Sequence, residues 1–178
     1  TQHSGSGKSN QMFLRGFNLD HGTDFSTAID GMPVNLRSHG HGQGYTDINF
    51  LIPETVARIN FVKGPYHAEL GDFSSAGGAE IETADVFSNQ VAWTAGENGF
   101  HRGLAMGSLT AGSTRLAGAL EVQRYGGAWT DVDEDVKKLN GLVKLGGGDD
   151  AARWQTTVMH YDNEWNAADQ IPERAVAA

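Results

Sequence analysis

The second half of the chain contains two segments in which apolar and polar side chains alternate with a period of two. The first is Thr114–Tyr125, and Lys138–Gly146 repeats the alternation. In the first segment the apolar face comprises Leu116, Gly118, Leu120 and Val122, and the other face carries Arg115, Glu121 and Gln123. Since neighbouring side chains of a strand point to opposite faces, each strand has one apolar face that must meet lipid or a protein core.

This alternation, together with the turn residues between such segments, predicts about five strands after residue 84. They are Gln90–Gly96, Arg102–Thr110, Thr114–Tyr125, Lys138–Gly146 and Arg153–Tyr161. The links after the second and fourth strands are short, whereas the link GGAWTDVDEDVKK and the tail DNEWNAADQIPERAVAA are long. Short turns that alternate with long loops are typical of outer-membrane β-barrels. The first link, Glu97–Gly99, is short where this pattern expects a long loop.

The chain before residue 84 consists of short apolar segments separated by glycine-rich and polar loops. Segments with the length and the branched or aromatic content of strands are Phe13–Phe17, Ala28–Val34 and Ala57–Val62. Pro53–Thr55 is predicted to form a short helical turn, because proline is tolerated at the first helical position and a carboxylate favours that end. The sequence therefore predicts a small mixed α/β unit here.

The composition excludes several functional classes. The formal net charge is −9 and no basic run occurs, so a nucleic-acid surface is not expected. The chain has no cysteine, which excludes disulfides, thiolate metal sites and a cysteine nucleophile. It also lacks an apolar stretch of about 18 residues that would predict a membrane-spanning helix. Because it begins without methionine inside a motif-rich segment, we expect a fragment whose signal peptide lies outside it.

The segment HSGSGKS resembles the end of a phosphate-binding loop. With Gly7-Lys8-Ser9 as that end, the first glycine of the motif would stand at position 2, where the chain has Gln2. Only Thr1 precedes Gln2, so no buried strand leads into the loop. We therefore predict no nucleotide binding and interpret Lys8 as a solvated lysine of a polar loop.

The sequence contains no recognisable motif of catalytic residues. Ser74 and Ser75 lack the glycine-x-serine-x-glycine elbow of a serine nucleophile. The acidic run that begins at Asp131 imitates a calcium loop, but Val136 and Leu142 occupy the positions that need glycine and glutamate. We predict that the chain is not an enzyme and needs no cofactor.

The histidines offer a weaker signal. His39 and His41 stand two apart in a glycine-rich loop, and His21 lies in an earlier loop beside Asp20 and Asp24. Imidazoles and carboxylates can ligate a transition metal. Structural metal sites show more closely defined ligand spacing. We therefore predict histidines that are exposed or hydrogen-bonded within their loops, and no direct metal site.

Three blocks of the first part, taken in their order, resemble TonB-dependent outer-membrane receptors. They are FLRGF, IDGMPV and ETVARINFVKGPYHAELGDFSSAGGAEIET. The last block resembles the most diagnostic signature of the family. The residues that carry the motifs are Gly16, Asp30, Gly31, Arg58, Lys63, Gly64, Pro65, Gly71, Gly77 and Gly78. Gly64, Gly77 and Gly78 are predicted to supply positive φ angles or close backbone approach.

The resemblance implies a mixed fold: a partial plug domain over residues 1–83, followed over residues 84–178 by about five antiparallel strands of a truncated transmembrane β-barrel. It implies TonB-dependent uptake of a scarce ligand, such as a siderophore, metal chelate, cobalamin-like compound or glycan, across the bacterial outer membrane. The implied partners are TonB, through a segment outside this chain, the transported ligand and outer-membrane lipid. Arginine–carboxylate pairs that involve Arg15, Arg58, Glu54 or Glu82 would lie either between plug and barrel or on an exposed surface.

In this family the loops after the first two motifs form the floor of the substrate site. Here these loops are 18–26 and 35–47, and their side chains suit polar capture of a ligand. The candidate ligand-binding residues are Arg15, His21, Arg37, His39, His41, Gln43, Tyr45 and Asp47. The alternative from a different class is a soluble metal- or glycan-binding β protein, in which the histidine loop and the acidic loop form the site.

Overall fold

The computed structural model describes residues 5–129, 131–149, 151–168 and 173–176. This part of the chain is mostly β-structure. The elements are β1 (Phe13–Leu14), β2 (Phe17–Asn18), β3 (Phe25–Ile29), β4 (Met32–Pro33), β5 (Val56–Lys63), β6 (Gly77–Thr83), β7 (Gln90–Ala95), β8 (His101–Ala111), β9 (Thr114–Tyr125), β10 (Val136–Gly148), β11 (Arg153–Glu164) and α1 (Glu173–Val176). Within these ranges no helix is both long enough and apolar enough to cross a membrane.

The first unit, residues 5–83, is built on a four-stranded mixed sheet in the order β4-β3-β6-β5. β3 and β6 are parallel, whereas β3 with β4 and β5 with β6 are antiparallel. Pro53–Thr55 forms a short 3-10 turn directly before β5, which confirms the predicted helical turn. Ile29 and Ile81 are buried neighbours in the two central strands.

Two of the predicted strands of this unit are hairpins instead. Phe13–Phe17 turns at Arg15 and Gly16, and Ala28–Val34 turns at Asp30 and Gly31. Both residues of each turn have positive φ, at 53° and 81° in the first turn and at 49° and 78° in the second. Two such residues in succession make the tight hairpin turn whose twist matches that of the strands. The strand predictions were wrong because apolar residues on both sides of each turn were assigned to one strand.

The paired glycines at the start of β6 stand where backbones come very close. A Cβ on Gly77 would lie 2.1 Å from the Val62 carbonyl oxygen, and the φ of Gly77 is 134°. A Cβ on Gly78 would lie 2.8 Å from the Ser26 carbonyl oxygen. These positions therefore require glycine, because any side chain would push β5 or β3 away from β6.

The second part of the chain forms a five-stranded antiparallel sheet in which consecutive strands pair, in the order β7-β8-β9-β10-β11. All five predicted strands are present, and β10 and β11 run further than predicted. β9 has the predicted bounds, Thr114–Tyr125. β7 and β11 are the edges of the sheet within the described residues.

The two faces of this sheet differ as the alternation predicts. On β9, Leu116, Leu120 and Val122 point outward, and Leu120 is 51% exposed. Ala117 and Glu121 point inward and are each 1% exposed. The outer face is therefore apolar and open, while the inner face carries small and charged side chains that are covered by the first unit.

The core lies between the inner face of the five-stranded sheet and the first unit. It comprises Ile52, Phe87, Leu104, Ala117, Ala119 and Leu142. Ile52 comes from the first unit and Phe87 from the link to β7, and the other four come from β8, β9 and β10. Alanines on the sheet allow the first unit to approach its backbone closely, so the two parts pack as one body.

Gly77→Ala is expected to destabilise the complete protein by at least about 1–3 kcal/mol, because φ is strained and the added methyl group clashes with a carbonyl oxygen. Gly40→Ala is the matched control, since nothing lies within 4 Å of a Cβ at that position. Urea unfolding of both variants measures the difference. Equal stability of the two variants would contradict the close approach of β5 and β6.

Candidate functional site

The two loops predicted to bind ligand, 18–26 and 35–47, lie at the same end of the first unit. β3 leads away from the first loop, the Asp30–Gly31 turn reverses the chain, and β4 leads back towards the second loop. The same end carries the 126–135 link of the five-stranded sheet, because the Ser6 N–H donates to Glu134 Oε2 at 2.8 Å. We call this end the long-link end.

Asn35 holds the two loops together. Its side-chain amide lies 3.0 Å from each of three carbonyl oxygens, those of Gly22, Phe25 and Gly44. Its Oδ1 accepts the Thr27 N–H at 2.7 Å. One half-buried amide therefore contacts backbone groups from both loops and from β3, which fixes their separation.

The base of the second loop is closed by backbone pairing. The Leu36 N–H donates to the Tyr45 carbonyl, and the Gly44 N–H donates to the Leu36 carbonyl, each at 2.8 Å. The Thr46 N–H then donates to the His21 carbonyl at 2.7 Å. Residues 37–43 therefore project from a fixed base, and this base is tied directly to the first loop.

Tyr45 is at the centre of a group of rings formed by both loops. The ring of His39 stacks on it, with centroids 4.0 Å apart and planes 14° apart. The rings of His41 and His21 contact it at centroid distances of 5.7 Å and 5.4 Å. The fold thus brings together four of the predicted ligand-binding residues and presents aromatic faces beside polar ring nitrogens.

Asp20, which the sequence did not single out as a site residue, completes this group. His21 Nε2 lies 3.7 Å from Asp20 Oδ1, and His41 Nε2 lies 3.6 Å from Asp20 Oδ2. Asp20 has a φ of 50°, and its N–H donates to Asn18 Oδ1 at 2.9 Å. This local turn aims the carboxylate at both imidazoles.

The other predicted ligand-binding residues are less closely joined to this group. Arg37 Nη1 donates to Asp72 Oδ2 at 3.1 Å on the exposed surface. Asp47 accepts the Asn49 N–H at 2.8 Å and lies 3.2 Å from the Tyr161 hydroxyl, so it ties the loop to β11. Gln43 and Arg15 are exposed, and Arg15 lies at the tip of the β1–β2 hairpin.

The segment that resembles a phosphate-binding loop packs against protein groups. The Ser6 N–H donates to the buried carboxylate of Glu134, an anionic side chain of the protein itself. A Cβ on Gly7 would lie 2.3 Å from the Trp165 ring. Lys8 is half-buried rather than fully solvated, and Gln2 lies outside the described residues. The backbone N–H of Ser6 therefore contributes to the packing of the protein at the place where a phosphate-binding loop would contact its ligand.

A charged cluster joins the first unit to the inner face of the sheet. Arg102 on β8 donates two hydrogen bonds of 2.7 Å to Glu54 and one of 2.5 Å to buried Glu121. Lys138 Nζ lies 3.0 Å from Glu121 Oε1, and the Asn140 side-chain amide donates to the same oxygen at 2.9 Å. The Arg102 guanidinium holds the pKa of the Glu54 carboxyl below its usual value. We refer to these five residues as the Glu121 cluster.

A second charged cluster lies at the opposite end of the first unit. Lys144 on β10 is buried, and its Nζ lies 3.3 Å from Asp30 Oδ2 and 2.9 Å from Thr83 Oγ1. Asp30 also accepts the Thr83 N–H at 2.8 Å. Of the carboxylates considered from the sequence, Glu54 forms an ion pair between the two parts, with Arg102 of β8. Arg58–Glu82 is an exposed pair within the first unit.

Comparison with known proteins agrees with the resemblance described above. Residues 1–78 match the family model of the TonB-dependent receptor plug domain. The matched range contains both ligand loops, the two hairpins and the paired glycines. No curated protein is significantly similar to the chain.

Glu54→Gln is expected to destabilise the docking of the first unit by about 1 kcal/mol at neutral pH, because a half-exposed charged hydrogen bond is lost. The pKa of Glu54 is lowered by folding, so the wild-type advantage is complete above the unfolded value of 4.5 and disappears as pH falls through the folded value. Urea unfolding at neutral and acidic pH measures this, with Glu97→Gln as control. A deficit in Glu54→Gln that does not shrink in acid would contradict the ionic contact.

Proposed function

Because residues 1–78 carry a TonB-dependent receptor plug domain, we propose that the chain is part of a receptor that imports a scarce polar ligand across the bacterial outer membrane. Plug domains of this family belong to outer-membrane transport receptors, not to enzymes. In this proposal, residues 5–83 are plug and β7–β11 are strands of the surrounding barrel wall. Energy comes from TonB, which acts on a plug segment outside this chain.

The observation that carries the proposal is the apolar outer face of the five-stranded sheet. Outward-facing residues of neighbouring strands lie in register across it. One row is Leu109, Leu116, Leu145 and Thr156, and the next is Gly107, Gly118, Val143 and Val158. Water-soluble proteins rarely leave such a face open, whereas a transmembrane strand needs one towards lipid. This supports a membrane wall rather than the soluble β protein of the alternative interpretation.

The inner face supports the same assignment. It carries Glu121, Asn140 and Lys144, which would be costly against lipid. Asn140 and Lys144 donate to the carbonyl oxygens of Asn49 and Thr83 in the first unit, and Glu121 is paired within the sheet. Strands that alternate lipid-facing apolar residues with polar lumen-facing residues are those of an outer-membrane barrel. Within the described residues β7 and β11 each pair with one strand, and further wall strands would pair along their other edges.

The ring group around Tyr45 supplies the proposed floor of the ligand site. It lies at the long-link end, which in a barrel of this type is the outer end. Its surface offers imidazole nitrogens, one carboxylate and a stacked aromatic pair, which suits a polar ligand with a planar or metal-bearing part. A siderophore, another metal chelate, a cobalamin-like compound or a glycan has this character.

Transport requires that the plug can be moved without unfolding the wall. The contacts between the two parts include the charged hydrogen bonds of the Glu121 cluster and of Lys144. These hydrogen bonds persist while water is excluded from the interface. Water molecules replace them readily once a path opens. In the proposed mechanism, ligand binds the floor, TonB pulls the plug, and water replaces these contacts as the path to the periplasm opens.

Leu120→Arg in the complete receptor is expected to destabilise it by roughly 2–4 kcal/mol, because the arginine would lie near the middle of the bilayer. Thr114→Arg is the matched control. It lies on the same outward face at the end of β9, where the expected cost is about 0–1 kcal/mol. Urea unfolding in lipid vesicles measures both. Equal costs would contradict the membrane assignment and favour a soluble β protein.

The double variant His39→Ala, Tyr45→Ala is expected to weaken ligand binding by about tenfold or more, since it removes the stacked pair of the floor. Cells that express the complete receptor are given an iron-loaded hydroxamate siderophore, cyanocobalamin or a maltodextrin, with and without TonB. His160→Ala, which lies on the outer face of β11, is the control. Undiminished TonB-dependent uptake by the double variant would show that the floor lies elsewhere.

A further inference from the structure

We infer that Asp20, His21 and His41 bind a divalent transition-metal ion directly. The inference rests on the proposed receptor function. It narrows the substrate to a metal ion whose water or chelator ligands can be replaced by protein side chains. The sequence alone favoured no metal site, because no single segment contains the three ligands. They come from two loops that meet only in the folded protein.

The geometry fits three ligands of one ion. One ligand atom from each residue can be chosen so that all three lie within 4.8 Å of one another. Each imidazole Nε2 lies 3.6–3.7 Å from an oxygen of the same carboxylate. Bonds of about 2.0–2.1 Å to a tetrahedral ion place its ligands roughly 3.3 Å apart. The carboxylate–imidazole pairs are already near this separation, and the widest pair must contract by up to about 1.5 Å. His41 lies on a projecting loop that can supply this movement.

His21 has the environment of a metal-binding imidazole. It is 1% exposed, and its Nδ1 lies 2.9 Å from Ser9 Oγ. A proton on Nδ1 donated to Ser9 leaves the lone pair on Nε2, which points towards Asp20. A metal-ligating histidine is usually held in this way by a hydrogen bond on its other nitrogen, which fixes both tautomer and orientation.

The types of donor atom limit which metal ions can bind at this site. Two imidazoles and one carboxylate suit Zn²⁺, Cu²⁺, Ni²⁺ or Co²⁺, whereas Mg²⁺ and Ca²⁺ prefer oxygen ligands alone. Three protein ligands leave at least one position for water or for a donor atom of a small chelator. The Asp20 and His41 side chains are 48% and 34% exposed, so this position opens to solvent. An open site of this kind fits an ion that is taken up and passed on.

The same contacts provide a route for release. Ser9 lies on the polar segment 5–9, which precedes both ligand loops in the chain. Tension that reaches the plug from its N-terminal side passes through Ser9 before it reaches His21. Separation of Ser9 from His21 frees the imidazole to rotate, and the ion then loses its one buried ligand. Pulling on the plug would therefore lower metal affinity before the loops themselves move.

The test titrates the complete receptor, purified in detergent, with CoCl₂ and follows the visible absorption of the bound ion, with ZnCl₂ as competitor. The wild type is expected to bind one more Co²⁺ than Asp20→Asn or His41→Ala. Ser9→Ala keeps all three ligands and is expected to bind this ion about 10–100-fold more weakly. His67→Ala is the matched control, because His67 pairs with Glu69 on the exposed surface and the part of the chain that the structure describes adds no third ligand there.

Pulsed electron paramagnetic resonance of the Cu²⁺ form provides an independent readout. Two coordinated imidazoles are expected in the wild type and one in His41→Ala. Identical Co²⁺ stoichiometry and identical imidazole counts in all variants would overturn the metal site. If uptake by the wild type stays TonB-dependent in that case, the receptor function stands and only the metal inference fails. Uptake that does not depend on TonB would contradict the receptor function whatever the metal data show.

Discussion

The structure depends on charged side chains that the five-stranded sheet places on its covered face. Glu121 and Lys144 are both buried, and a buried charge is very costly unless it is paired and hydrogen-bonded. The sheet supplies Arg102, Lys138 and Asn140 to Glu121, and the first unit supplies Glu54, Asp30 and Thr83 to Arg102 and Lys144. Charged contacts therefore tie the two parts together, because Glu54 and Asp30 of the first unit pair with Arg102 and Lys144 of the sheet.

The apolar outer face of the sheet is a consequence of the alternation of polar and apolar residues along its strands. Once the polar positions are turned inward to meet the plug, the apolar positions between them must point outward. Their in-register rows form a surface suited to lipid. The covered face combines the apolar core around Ile52 and Phe87 with charged hydrogen bonds to the first unit. In the proposed receptor, water would replace the charged contacts while the outward rows stay against lipid.

The ligand site depends on chain reversals more than on any motif. The Asp30–Gly31 turn sends β4 back beside β3, so that loops 18–26 and 35–47 meet. Asn35 then joins backbone groups from both loops. Only this closure brings His41 beside Asp20 and His21. Most of the fold could be predicted from the sequence, but the site could be predicted only as a region. Ser9 and Asn35 act through partners distant in the chain, and Asp20 joins its neighbour His21 to the distant His41.

The sequence by itself determined the strands after residue 84, their outward faces and the plug motifs. These features are local, because the direction of a side chain on a strand depends only on its position in the chain. The first hairpin was missed because the positive φ of Arg15 has no signal in the residue type. The second was missed although Asp30-Gly31 is a typical hairpin-turn pair, because the whole segment was assigned to one strand. Tertiary structure alone decided which charges are buried together and which ring nitrogens converge. Those outcomes depend on distances between residues far apart in the chain, and such distances exist only after the first unit has packed against the five-stranded sheet.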